Sequence, residues 1–116
     1  MSDVLKVYAD ARLRVDKNNL HWNDFAHRPI SANFTTMVSE IVNVTTTDLT
    51  LNIASMAPAR NLILTPSRDV KVTINSATGI RVKQNGAMFI NSGSFTTLKV
   101  KTVSATNAVV QYTVTN

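Results

Sequence analysis

Apolar and polar residues alternate with a period of two along most of this chain. Residues 7 to 16 alternate strictly, and the same pattern returns in residues 70–74, 98–101 and 110–114. A period of two is typical of a strand with one buried face. A helix stays open as an alternative for residues 7 to 16, because Ala, Leu and Arg are good helix formers.

Turn signals separate these segments. Pro66 ends a short apolar run, and residues 75–79 form a polar turn. Asn85 and Gly86 lie between two predicted strands, residues 80–84 and 87–90, and this dipeptide predicts a hairpin with a type I′ turn. The pattern therefore predicts an all-β fold, a sandwich or jelly roll of about eight to nine short antiparallel strands with an N-terminal arm.

Composition agrees with this prediction. The chain has 116 residues, among them fifteen Thr, fourteen Val and twelve Asn, and β-branched side chains pack well on a pleated sheet. A chain of this length forms one domain. We assign residues 34–116 to the β-sandwich domain and residues 1–33 to an N-terminal strand followed by an irregular arm.

The arm holds an aromatic and imidazole cluster. Residues 18–33 have no steady period, and long irregular segments often contact another molecule. We interpret four side chains of this segment as arm anchors at an interface: His21, Trp22, Phe25 and His27. A metal site needs three or four converging ligands, which this spacing does not indicate, so we expect neither a metal nor another cofactor.

Positive charge is concentrated in the second half of the chain. Residues 60–116 contain seven Lys and Arg but one acidic residue, Asp69, whereas the first half is nearly neutral. Five of these cations fall on predicted outward positions and define a basic face: Lys71, Arg81, Lys83, Lys99 and Lys101. Such a face can be merely solvated or protect sheet edges, or it can bind an acidic protein surface or nucleic acid. Nucleic acid is the less favoured partner, because single-strand binders usually interleave aromatics with their cations.

Known catalytic patterns are missing from the sequence. It has no cysteine, no phosphate-binding glycine loop and no serine in a nucleophile-elbow setting. Asp24 could form an acid-base pair with a neighbouring histidine, but no nucleophile is placed beside it. We therefore expect a protein that is not an enzyme. No run approaches the ~20 apolar residues of a membrane span, and no signal peptide is evident, so we expect a protein made in a cytoplasm.

Three segments resemble small all-β accessory proteins of tailed bacteriophage virions, which decorate or cement a capsid shell. They are RNLILTPSRDVKVTIN (residues 60–75), GIRVKQNGAMFINSGSFTTLKVKT (residues 79–102) and ATNAVVQYTV (residues 105–114). The similarity lies in short strands, a polar hairpin, Gly-Ser turns and a final Val/Tyr strand. The three segments contain 50 of the 116 residues and do not include residues 1–50.

The resemblance implies a structural virion protein, assembled in the host cytoplasm, that binds the outside of a phage capsid and stabilises the shell. Its expected partner is the major capsid protein or another virion protein, and it is expected to form a homo-oligomer, with a trimer favoured. Two alternatives stay open: a binding module associated with the phage tail or fibre, or a basic β domain that binds nucleic acid.

Overall fold

The computed structural model describes residues 3–7, 12–16, 20–24 and 30–116, with side chains from Phe34 onward. Twelve strands and no helix are found in these ranges. The strands are β1 (Asp3–Val7), β2 (Arg12–Asp16), β3 (Leu20–Asp24), β4 (Ile30–Phe34), β5 (Met37–Val44), β6 (Leu49–Thr50), β7 (Asn61–Pro66), β8 (Val70–Ile74), β9 (Ile80–Val82), β10 (Met88–Ile90), β11 (Leu98–Thr102) and β12 (Ala108–Thr115).

Eight of these strands form two antiparallel four-stranded sheets. Sheet I has the order β10-β7-β12-β5, and sheet II has the order β6-β11-β8-β9. The prediction of an all-β sandwich is confirmed, and its eight strands fall within the predicted eight to nine. The two sheets stay open and do not close into a barrel.

The core lies between the two sheets and is built from the apolar half of each alternating strand. Along β8 and β11, valines and leucines are fully buried while the intervening lysines are only half-buried. Loop residues such as Met56 and Phe95 also belong to the core. The largest side chains that are fully enclosed are Tyr112, Phe95, Leu62, Leu64 and Leu98. Burial of such side chains contributes about 1.5–3 kcal/mol each, and it is the main term that stabilises the fold.

One buried polar group is satisfied inside sheet I. The Tyr112 hydroxyl lies 2.9 Å from Glu40 Oε2 and 2.9 Å from the Asn52 carbonyl oxygen. The Asn52 amide donates to the other Glu40 carboxylate oxygen at 3.3 Å. Burial and the bond to Glu40 raise the pKa of Tyr112 above its usual value, so the phenol keeps its proton and acts as a donor.

The Asn85-Gly86 turn does not join a hairpin, so that part of the prediction is wrong. Strand β9 pairs with β8 in sheet II, and β10 pairs with β7 in sheet I. Gly86 donates its N–H to the Lys83 carbonyl at 2.9 Å, and only Asn85 has a positive φ, of 59°. The segment is therefore a turn that crosses from one sheet to the other, with its positive φ at the third position, as in a type II turn.

Two further strand pairs precede the sandwich. Strand β1 pairs with β4, and β2 pairs with β3, both antiparallel. The description of residues 18–33 as irregular is therefore wrong for β3 and β4. Backbone pairing does not itself require alternating apolar residues, which reflect burial of one face, so the sequence gives no periodic signal there. No helix in the described ranges could cross a membrane.

Candidate functional site

Three cations stand side by side across sheet II. The register places Lys101 of β11 opposite Lys71 of β8, and Lys71 opposite Arg81 of β9. We call these three residues the basic row. Adjacent strands lie about 4.8 Å apart, so the row is a compact line of positive charge.

The alternation of sequence and burial explains why the row lies on the outside. Val70, Val72 and Val100 are fully enclosed in the core, and the residues next to them on the same strands point the other way. Lys71 and Lys101 are half-buried, as expected for aliphatic stems that lie along a sheet while the ammonium groups reach water. The period of two that buries valine therefore also gathers the cations.

The two remaining members of the basic face extend the row. Lys99 lies on β11, two residues before Lys101, with Thr73 and Thr50 as its neighbours across the sheet. Lys83 follows Arg81 by two residues, just beyond the end of β9. All five predicted cations therefore lie on sheet II or directly at its edge, although β8, β9 and β11 are well separated in the sequence.

Gly79 leaves the space that the Lys71 side chain occupies. A Cβ atom at Gly79 would lie 2.5 Å from Lys71 Cε and 2.6 Å from Lys71 Cγ, closer than atoms can approach. The aliphatic stem of Lys71 thus lies directly over the backbone at Gly79. Any larger residue at position 79 would displace this stem, and the sequence alone gave no sign of that contact.

Asp69 is the one carboxylate that contacts the basic face among the described residues. Its Oδ2 accepts a bond from Arg81 Nη2 at 2.8 Å and lies 3.9 Å from Lys83 Nζ, while its Oδ1 accepts the Gln84 N–H at 2.8 Å. The bond from Arg81, followed by that from Gln84, lowers the pKa of Asp69, so the group is ionised at neutral pH. Asp69 offsets part of the charge at one end of the face and leaves Lys71, Lys99 and Lys101 without a carboxylate within ion-pair distance in the described part of the chain.

A shallow polar depression of about 470 Å³ lies beside Lys99. Its walls include Asn75, Ser94 and Thr96, but the Asn75 amide is already engaged, because Oδ1 accepts the Thr96 N–H at 2.9 Å. The aromatic residue of its lining, Phe95, is almost completely buried. The depression therefore offers hydroxyl groups and one ammonium but no exposed ring on which a sugar could stack.

The arm anchors fall mostly outside the described structure. His21 and Trp22 belong to β3, at register positions opposite Val15 and Arg14, and their role at an interface stays a prediction. Phe25 and His27 lie outside the described residues. Among the described residues, no three His, Cys, Asp or Glu side chains come together in a way that could hold a metal ion.

The chain matches no protein-family model, no curated protein and no solved structure. The functional argument therefore depends on the geometry of the basic face and on the physical chemistry of its residues.

Proposed function

We propose that this chain is a non-enzymatic structural protein that attaches through its basic face to an acidic protein surface. Following the resemblance in its C-terminal half, we propose that this surface is the outside of a phage capsid, where the chain decorates and stabilises the shell. The observation that carries the proposal is the basic row, Lys101, Lys71 and Arg81, at directly opposed positions on three strands.

The row favours a bound anionic partner for an energetic reason. Like charges at directly opposite positions of a sheet destabilise it by some tenths of a kcal/mol per pair. A row of carboxylates on a partner would remove this repulsion and add attraction in the same step. The repulsion between the cations raises the free energy of the free protein, and its removal on binding adds to the affinity for the partner.

The kind of partner follows from the shape and composition of the face. Sheet II presents an open surface of Lys, Arg and Thr, and the aromatic side chain most exposed in the described residues, Phe89, belongs to sheet I. A face without exposed rings suits carboxylates on a protein better than bases that need stacking. On a shell with many equivalent positions, weak attachment at each subunit is sufficient, because linked subunits bind with high avidity.

A pair of matched double variants tests the role of the row. The variant Lys71→Gln with Lys101→Gln removes two charges from the row, and Arg60→Gln with Arg68→Gln removes two charges from exposed positions outside the strands. Both variants lower the net charge from +5 to +3. Exposed ion pairs contribute about 0.2–1 kcal/mol each, so we expect the first variant to bind a polyglutamate-coated resin roughly twofold to thirtyfold more weakly. The second should bind almost as the wild type does.

The outcomes of this experiment are distinct. Equal losses in the two variants would show that only net charge matters and would overturn the proposal. Stronger, steeply salt-dependent retention on duplex or single-stranded DNA than on polyglutamate at equal ionic strength would favour the nucleic-acid alternative. In purified particles of the phage that encodes the chain, we expect a high-salt wash to release the protein while the shell stays closed.

A further inference from the structure

We infer that two copies of this chain pair through the free edges of their β5 strands, which would join the two copies of sheet I into one eight-stranded antiparallel sheet. This pairing does not depend on the function proposed above. It comes from the contrast between β5 and the other three edge strands of the sandwich.

The other sheet edges are protected by their short length. Strands β6, β9 and β10 have two, three and three residues, whereas β5 has eight. Its pairing with β12 is continuous over all eight residues, without a bulge. Natural edge strands are usually blocked by shortness, by Lys or Pro, by bulges or by an inward-pointing charge. Strand β5 has only the last of these features, Glu40, and its carboxylate is already bonded to Tyr112 and Asn52.

The phase of the backbone hydrogen bonds shows which groups of β5 face outward. Asn116 donates its N–H to the Thr36 carbonyl, in register with the β5–β12 ladder. In an antiparallel ladder, alternate residues bond to the same neighbour. The even-numbered residues of β5 therefore bond to β12, while Ser39, Ile41 and Asn43 direct their N–H and C=O groups to the free edge. No strand in the described ranges occupies that edge.

The side chains of β5 suit a second copy of the same chain. Ile41 is 69% exposed and Met37 is 53% exposed, the two highest values among the exposed large hydrophobic residues. The only charged residue of the strand is Glu40, whose carboxylate is bonded to Tyr112 and Asn52. The chain has a net charge of +5, so two copies repel each other over much of their surface. Strand β5 contains no Lys or Arg, so contact at this edge brings no cations of the two β5 strands together.

One register satisfies both the backbone and the side chains. With the two-fold axis at Ile41, the two Ile41 residues face each other, each Ser39 faces Asn43, and each Glu40 faces Val42. This register forms about six backbone hydrogen bonds by the antiparallel rule, each contributing about 1 kcal/mol net. An axis at Glu40 would instead oppose two carboxylates.

The pairing would also change the presentation of the basic face. The two-fold axis of an antiparallel pair of strands is perpendicular to the sheet, so both copies turn the same side in the same direction. The two basic faces would then lie on one side of the dimer and could bind one acidic surface together, which would raise the avidity. This last consequence, unlike the pairing itself, rests on the proposed function.

A proline at the centre of the edge tests the pairing. The Ile41 N–H points to the free edge, so Ile41→Pro removes no hydrogen bond within the chain, and proline is tolerated at such edge positions. By sedimentation or light scattering we expect the wild type at about 25 kDa, twice the 12.7 kDa of one chain, and Ile41→Pro at the mass of one chain. Gln111→Lys lies opposite Ile41 on the neighbouring central strand β12. It places a charge on the same outer face but leaves the N–H and C=O groups of the free edge unchanged, so this variant should remain a dimer.

Hydrogen exchange of the wild type gives a second measurement if the proline variant fails to fold. We expect slow exchange of the Ser39, Ile41 and Asn43 amides at high protein concentration and faster exchange on dilution. A wild type that stays monomeric, a trimer of about 38 kDa, or an Ile41→Pro variant that stays dimeric would each overturn the pairing. High salt should leave the dimer intact while it weakens binding to polyglutamate, so failure of one proposal is distinguishable from failure of the other.

Discussion

The strands behind the two outer faces of this sandwich have the same alternating pattern, but one face is cationic and the other is uncharged. On sheet II, the outward positions of β8, β9 and β11 hold Lys and Arg together with Thr73. On sheet I, the corresponding positions of the described strands hold only uncharged residues: Met37, Ser39, Ile41, Asn43, Ile63, Thr65, Phe89, Val109, Gln111 and Thr113.

This difference shows that the two sides of each strand have separate roles: the inward residues form the core, and the outward residues set the chemistry of the surface. The inward residues of both sheets are similar, mainly Val and Leu, because both sheets close on one core. The outward residues contribute little to folding, so they can differ freely between the sheets. The molecule therefore has two chemically different surfaces, a cationic face on one side and an uncharged face with an open edge on the other.

The largest effect should come from moving a charge from the outer to the inner side of one strand. Val72 is fully buried between Lys71 and Thr73. A lysine at position 72 would place an ammonium group in the core, at a cost of more than about 4 kcal/mol, which is comparable with the total stability of many small domains. We expect Val72→Lys to be unfolded or nearly so in urea denaturation followed by circular dichroism.

The neighbouring position provides the control. Thr73→Lys adds the same side chain one residue further, on the outer face opposite Lys99. It should cost less than about 1 kcal/mol, mainly through repulsion between like charges. Similar losses for both variants would contradict the division of each strand into a core side and a surface side.

The sequence predicts this division well because it is a local property. Apolar and polar residues alternate within residues 70–74 and 98–101 themselves. The strands and their outward cations can therefore be predicted without knowing which strands pair with them. The strand order is different, because it depends on contacts between distant segments. Nothing near Asn85 and Gly86 indicates that the chain changes sheets there, and the strong local turn signal led to a hairpin that does not form.

The same limit applies to the candidate site. The basic face was predictable residue by residue, but the row requires β8 to lie between β11 and β9. The contact between Asp69 and Arg81 joins residues twelve positions apart through that strand pairing. Gly79 under Lys71 and the unpaired edge of β5 also appear only when the strands are assembled.

An intermediate effect should come from the one carboxylate on the strands of sheet I, Glu40, which is held inside by Tyr112. Tyr112→Phe leaves Glu40 without this donor, and we expect a loss of about 1–3 kcal/mol in the free energy of unfolding. Thr113→Val is the control, because it removes a hydroxyl on the outer face, bonded to Ser39 at 3.0 Å, and should cost less than about 1 kcal/mol.

The pH dependence of stability, compared between wild type and Tyr112→Phe, tests the contribution of the Tyr112 phenol. The pKa of Tyr112 is raised in the folded protein. As the pH rises, the Tyr112 hydroxyl therefore loses its proton at a lower pH in the unfolded chain than in the folded protein. The stability that comes from the protonated phenol is complete below about pH 10, the usual tyrosine pKa, and declines above it. The gap between the unfolding free energies of wild type and Tyr112→Phe should therefore narrow above pH 10. A gap that stays constant up to pH 12 would contradict this role of the phenol.

The smallest effect should come from a change at Asp69, the acidic residue that partly neutralises the basic face. Asp69→Asn removes the carboxylate beside Arg81 and Lys83, so the face gains one positive charge. We expect this variant to elute from a cation exchanger at a higher salt concentration than wild type. Its loss of stability at pH 7 should be small, because the Arg81–Asp69 pair is partly exposed to solvent. Gln111→Lys, which raises the net charge by the same one unit but on the outer face of sheet I, is the control and should shift elution less. The pKa of Asp69 is lowered in the fold, so its contribution to stability is present above about pH 4 and disappears as the pH falls further. Wild type and Asp69→Asn should therefore converge in stability at low pH. Equal elution of Asp69→Asn and Gln111→Lys would show that Asp69 does not act on the face.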